Sequence, residues 1–81
     1  MRKGVDIEYI KAFGRHLAKT RKAKGFTQEG VCYDIDLSLS QIARIETGKI
    51  CPSIDTVLRI AKGLGVHPKD LFDFEVTSTS V

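Results

Sequence analysis

Apolar side chains recur along the chain every three or four residues, in stretches separated by short polar breaks. That is the spacing of helices with one buried face. The first stretch carries Ile10, Phe13 and Leu17, continued by Thr20 and Arg21, and predicts a helix from about Asp6 to Lys24. A lysine cluster and then Gly25 end it, and Phe26 is expected to fold back into the core. A second helix is predicted from about Gln28 to Ile35, capped by Thr27, with Glu29 complementing the dipole of its first turn. Ser38-Leu39-Ser40-Gln41 reads as a capping box that opens a third helix, Leu39 to about Thr47, closed by Gly48. Ser53 caps a fourth helix over Ile54 to Leu64, whose apolar face reads as Ile54, Val57, Leu58, Ala61 and Leu64, with Gly65 ending it. A short fifth helix starts near Pro68, a residue suited to a first helical position, with His67 at its cap and Leu71 and Phe72 inward. The predicted fold is all-α: a compact five-helix domain over residues 6–74, a flexible segment 1–5, and a disordered Ser/Thr-rich tail 75–81.

The second and third helices are separated by only about three residues of turn. Val31, Ile35, Ile42 and Ile45 are placed to clamp them together. This layout is a helix-turn-helix, whose second helix can enter the major groove of DNA. Gly30 is a weak point in the second helix; a small residue there could admit another backbone.

Composition narrows the function classes. The 81 residues are enough for one domain, near the lower size limit for a core without staples. Cys32 is expected to be a buried thiol and Cys51 to be partly exposed. Neither belongs to a CxxC or a Cys/His cluster, so no disulfide framework, metal or cofactor is expected. His16, expected to face solvent, and His67 lack a nearby nucleophile or ligand set, so no enzyme is expected. No apolar run is long enough for a membrane span and no secretory signal is visible, which predicts a cytoplasmic protein. The net charge is +3, unevenly spread: residues 1–25 hold eight Lys and Arg against two Asp and Glu. A basic first helix suits a nearby phosphate backbone.

With these residues in place, the chain resembles the Xre/Cro family of lambda-repressor-like helix-turn-helix regulators over roughly Phe13 to Phe72. The resemblance is carried by the runs LAKTRKAKGFTQE, SLSQIARIETGK and PSIDTVLRIAKGLGVHPKDLF. Within them, Thr27-Gln28-Glu29, Ile42-x-x-Ile45-Glu46-x-Gly48, Pro52-Ser53 and Ala61-x-x-Leu64-Gly65-Val66 follow the family's order and spacing. Three positions depart from the pattern: Asp36 stands where the turn often has Gly, Gly30 where a long helix-former is usual, and Cys51 where Asn is frequent. Asp tolerates a left-handed backbone better than most residues, so the turn is expected to survive.

The resemblance implies a sequence-specific regulator, expected to repress, that inserts its third helix into double-stranded DNA as a homodimer on a palindromic operator. It implicates Leu39, Ser40 and Arg44 in base contacts. Arg44 is the sharpest of these, because a guanidinium can grip O6 and N7 of guanine together. Thr27, Gln28, Gln41, Thr47 and Lys49 are expected at the DNA backbone, Gln28 also bracing the third helix and Gln41 competing with its capping role. The resemblance further implies a partly buried ion pair between Arg21 and Glu46 that fixes the angle of the third helix. Leu71, Phe72, Phe74 and Val76 supply apolar area for a dimer surface, with core closure the alternative for Leu71. A different class of function, an antitoxin-like protein-interaction module on the same fold, is compatible with the neutral Leu39, Ser40 and Ala43.

Overall fold

The computed structural model describes residues 7–76, and these are helical with no strand among them. The expectations for residues 1–6 and 77–81 lie outside the described residues. Helix α1 spans Ile7–Ala23, α2 Gln28–Cys32, α3 Leu39–Glu46 and α4 Ile54–Leu64. The predicted fifth helix is instead a 3-10 turn, Pro68–Phe72. Its bonds run to the third residue back, Asp70 N–H to the His67 carbonyl (2.9 Å) and Asp73 N–H to the Asp70 carbonyl (3.5 Å). Five residues are short enough for that tighter ladder. His67 and Asp70 cap it reciprocally: His67 Nδ1 accepts from Lys69 N–H, and Asp70 Oδ2 accepts from His67 N–H.

Local capping chemistry sets most of the helix ends. Thr27 Oγ1 accepts from Gly30 N–H at 2.9 Å, and Ser53 Oγ from Thr56 N–H at 3.1 Å. At the end of α1, Phe26 N–H reaches the Arg21 carbonyl and Gly25 N–H the Lys22 carbonyl. That pair of bonds is the Schellman motif, and it turns Phe26 back to pack against the core.

Helix α2 is shorter than predicted, ending at Cys32. Tyr33 still has helical angles, but Asp36 adopts φ 55°, the left-handed conformation expected of it, and the chain swings into α3. Ile35 nevertheless stays buried, which is why its spacing from Val31 reads as helix. Arg59 of α4 donates from its NH1 to the Ile35 and Asp36 carbonyls at 3.4 and 3.3 Å. It thereby satisfies carbonyls of the turn between α2 and α3.

The core joins all five elements through Phe13, Leu17, Val31, Ile35, Leu37, Ile42, Ile45, Val57, Ile60, Ala61, Leu64 and Leu71. The buried stripe of α4 is Val57, Ile60, Ala61 and Leu64, so the sequence reading placed it one step early. Ile54 is 86% exposed and Leu58 44%, whereas Ile60, absent from the predicted face, is fully buried. Helical spacing counted from Ile54 and from Val57 shares three positions, and only the packing of α4 on its neighbours chooses between them. Phe72, expected inward, is 54% exposed. Cys32 is half-buried rather than buried; burial, and next Glu29 and Glu46, push its thiol pKa up. His16 does not simply face solvent: its Nε2–H donates to the Asp70 carbonyl at 2.7 Å, tying α1 to the 3-10 turn.

Two glycines let α1 and the end of α3 approach closely. A Cβ on Gly14 would stand 2.4 Å from the Ile45 carbonyl oxygen and 2.6 Å from that of Glu46. Gly48, at φ 77°, closes α3 and lies under Lys11 of α1. No such partner faces Gly30: a Cβ there would meet the Thr27 hydroxyl at 3.2 Å and the Phe26 ring at 3.5 Å. The backbone approach suggested for Gly30 is therefore absent.

Candidate nucleic-acid interface

Helix α3 is built to present one face and bury the other. At its start, Ser38 Oγ accepts from Gln41 N–H (3.1 Å) and Gln41 Oε1 accepts from Ser38 N–H (3.1 Å). Ser38 O–H also donates to Gln41 Oε1 at 3.2 Å. The Gln41 side-chain carbonyl is thus committed to the cap, while its NH2 group has no protein partner among the described residues. Ile42 and Ile45 are fully buried and Glu46 nearly so. Leu39, Ser40, Arg44 and Thr47 are exposed and Ala43 half-buried. Ser40, Arg44 and Thr47 follow one another at helical spacing, so they share one ridge of the exposed face.

The buried side of α3 is held by an ionic brace. Arg21 grips the Glu46 carboxylate with two N–H groups, Nε to Oε2 at 2.6 Å and NH2 to Oε1 at 3.0 Å. Its NH1 donates to the Phe26 carbonyl at 2.9 Å. Gln28 Nε2 donates to Glu46 Oε1 at 2.8 Å. Arg21 is 8% and Glu46 9% exposed, so both charges are largely removed from water, and each of the three guanidinium nitrogens donates to an acceptor. The hydrogen bond that Arg21 donates to Glu46 raises the pKa of the guanidinium further, against the opposing pull of burial. The brace joins the last turn of α1, the first residue of α2 and the last residue of α3. It therefore ties the end of α3 to both α1 and α2.

The remaining sequence-selected residues surround that face. Gln28 keeps its second amide N–H free beside the brace. The Thr47 hydroxyl donates to the Ala43 carbonyl at 3.0 Å, leaving the oxygen as an acceptor and making it a poor phosphate donor. The Thr27 oxygen instead accepts from Gly30 N–H, which leaves its own O–H able to donate. Lys49 is exposed just past α3, its N–H bonded to the Arg44 carbonyl at 2.8 Å. Sequence reasoning missed Gly14 and Arg59. The carbonyls they meet lie more than twenty residues away along the chain, and no local pattern marks such contacts.

A second surface lies on another flank of α1. An open apolar groove of about 370 Å³ is lined by residues that include Tyr9, Phe13, Ile54, Phe72 and Phe74. Phe74 is half-buried there, edge-on to Tyr9 at 5.4 Å between ring centres, and Phe13 packs against Phe72 at 5.1 Å. Of the four residues offered by sequence for a dimer surface, Leu71 is fully buried and is part of the core. Phe72 remains exposed on the groove wall.

Comparison with known proteins agrees with this architecture. The profile of a family described as "Helix-turn-helix domain" matches residues 12–73. The control protein C.BamHI of Bacillus amyloliquefaciens is 40% identical over 63 residues, covering 76% of this chain and 78% of that protein. The uncharacterized HTH-type transcriptional regulator YazB of Bacillus subtilis is 34% identical over 59 residues, covering 73% of this chain and 86% of that protein. Among solved structures, the restriction-modification controller protein C.AhdI of Aeromonas hydrophila superimposes with a TM-score of 0.76 at 31% identity, over 79% of this chain and 97% of that one. Among the described residues, no helix is long and apolar enough to cross a membrane and no side-chain cluster could hold a metal ion. The chain belongs to the Xre-type family of helix-turn-helix, DNA-binding transcriptional regulators.

Proposed function

We propose that the chain reads a palindromic operator in double-stranded DNA as a homodimer and represses transcription where that operator overlaps a promoter. The exposed face of α3 carries this reading: Leu39, Ser40 and Arg44 project from a helix whose opposite side is buried and braced. Arg44 takes a guanine by its O6 and N7, worth ~1–3 kcal/mol of discrimination. Ser40 bonds a base edge, and Leu39 packs on a thymine methyl. Gln28, the free amide of Gln41, Lys49 and the Thr27 hydroxyl, which accepts from Gly30 N–H and keeps its own proton to donate, hold phosphates on either side, with Thr47 contributing contact more than hydrogen-bond donation. The names of the control protein and the restriction-modification controller favour a controller role over an antitoxin role.

A single eight-residue helix is about 12 Å long and spans few base pairs, so useful specificity calls for two copies. The apolar groove gives them a meeting place. At 3.6 residues per turn, Tyr9 and Phe13 project from one flank of α1, away from the flank that borders α3. A second copy seated there leaves both α3 helices free, with half-sites ~34–36 Å apart. Ile54 is the most exposed apolar residue beside the groove. Ile54→Glu is therefore expected to leave the melting temperature nearly unchanged, convert the dimer to a monomer in sedimentation, and weaken operator binding on the order of a hundredfold. A variant that still sediments as a dimer and binds normally rules out this interface.

A further inference from the structure

The basic residues of α1 are not spread evenly around it. Arg15, Lys19 and Lys22 follow at intervals of four and three, so they form one ridge. All three border a groove of about 560 Å³ whose other walls are Gln28, Ala43, Glu46 and Thr47, with Ala18 beside them. The groove therefore runs between α1 and the exposed side of α3. Its single carboxylate, Glu46, is already held by Arg21 and Gln28. Among the described residues, no carboxylate lies within ion-pair distance of Arg15, Lys19 or Lys22. Three uncompensated cations thus border a channel whose lining includes the small side chains of Ala18 and Ala43.

A basic ridge on a surface helix is ordinarily a solvated face. Here three features set it apart. The cations share one flank, they lack acidic partners, and they line the same channel as Gln28 and Thr47. We propose that Arg15, Lys19 and Lys22 form a phosphodiester track that takes the DNA strand bordering the major groove into which α3 inserts. This assignment rests on the operator-binding reading above and extends it to a third helix. From Arg15 to Lys22 the ridge is about 10 Å long at 1.5 Å per residue. A strand of duplex carries one phosphate per ~3.4 Å of axis, so the ridge can face roughly two or three of them. The track reads no sequence. It sets how deeply and in what register α3 sits, and it supplies much of the salt-sensitive affinity.

Salt dependence tests the track. Operator binding is measured across a range of salt concentrations for the wild type, for Lys19→Gln/Lys22→Gln, and for a control of equal charge change, Lys62→Gln/Lys69→Gln, whose side chains are exposed and lie outside the groove. The slope of log K against log salt changes by ~0.9 per phosphate contact. The ridge pair should therefore lose about two units of slope per protomer, weaken operator and scrambled duplex alike, and select the same motif as the wild type. The control should keep nearly the wild-type slope. An unchanged slope in the ridge variant, or an equal loss in the control, overturns the track. A wild type with a steep slope but no preferred sequence overturns the operator reading instead, and the slope comparison still decides the track.

Discussion

Glu46→Ala is expected to cost ~3–5 kcal/mol of stability, because it leaves the Arg21 guanidinium buried with no carboxylate. In a domain of this size each kcal/mol moves the melting temperature by about 4–8 °C, so the fall should be about 12 °C or more. Arg21 is 8% exposed and directs two of its donors at Glu46, and water has little access to replace them. Gln28 loses its acceptor in the same step. Arg21→Ala should cost a similar amount by stranding the carboxylate. The double variant should then lose clearly less than the two single losses combined, since neither charge is left behind. Glu46→Gln keeps the shape and one acceptor, so it should fall between wild type and Glu46→Ala. Thermal melts of the wild type and the four variants in one buffer check this. Additive losses would mean that the two side chains act separately and that the brace does not set the angle of α3.

Gly14→Ala should also destabilise, against the usual trend. Within a helix, exchanging Gly for Ala gains up to ~1 kcal/mol of propensity. The new methyl would meet the Ile45 and Glu46 carbonyl oxygens at 2.4 and 2.6 Å, and backbone cannot swing aside as a side-chain tip can. Overpacking of that kind costs ~1–3 kcal/mol, so the steric term wins. Relief can come from α3 moving off α1, which tilts the face that carries Arg44, so DNA affinity should fall along with stability. Gly30→Ala is the internal control. Its new methyl meets only a hydroxyl and a ring edge at 3.2 and 3.5 Å, so the propensity gain is not cancelled and the protein should be as stable as wild type or more stable by up to ~1 kcal/mol. A Gly14→Ala protein as stable as wild type would mean that α1 and α3 are not in tight contact.

The contrast between these two glycines explains what the sequence could disclose. Information written within three or four residues was readable: the Thr27, Ser38 and Ser53 caps, the Gly48 and Gly65 stops, and the Ile42/Ile45 face of α3. The left-handed turn at Asp36 belongs with them, because the preference lies in that residue itself. Choices made by distant neighbours were not readable. The phase of α4 depends on which of Ile54 or Ile60 finds the core, and both fit a helical stripe. The turn after α2 is tied to α4, where Arg59 bonds the Ile35 and Asp36 carbonyls from more than twenty residues away. Gly14 looks like a defect in α1 until the end of α3 is laid against it. At the exposed face of α3, the capping role of Gln41 was legible, whereas the bond of the Thr47 hydroxyl back to its own helix was not. The Gln41 carbonyl and the Thr47 hydroxyl are both partly occupied by their own helix.

Selection from a random pool of duplex DNA, near physiological salt, tests the central claim most directly when the wild type and Arg44→Ala are run side by side. The account predicts that the wild type enriches a palindrome with half-site centres one helical turn apart. Arg44→Ala should then recover the same palindrome with one position per half-site relaxed, normally a guanine. Enrichment of no motif by the wild type, or an unchanged motif from Arg44→Ala, would contradict it: the first denies sequence reading by this chain, the second denies that Arg44 performs it.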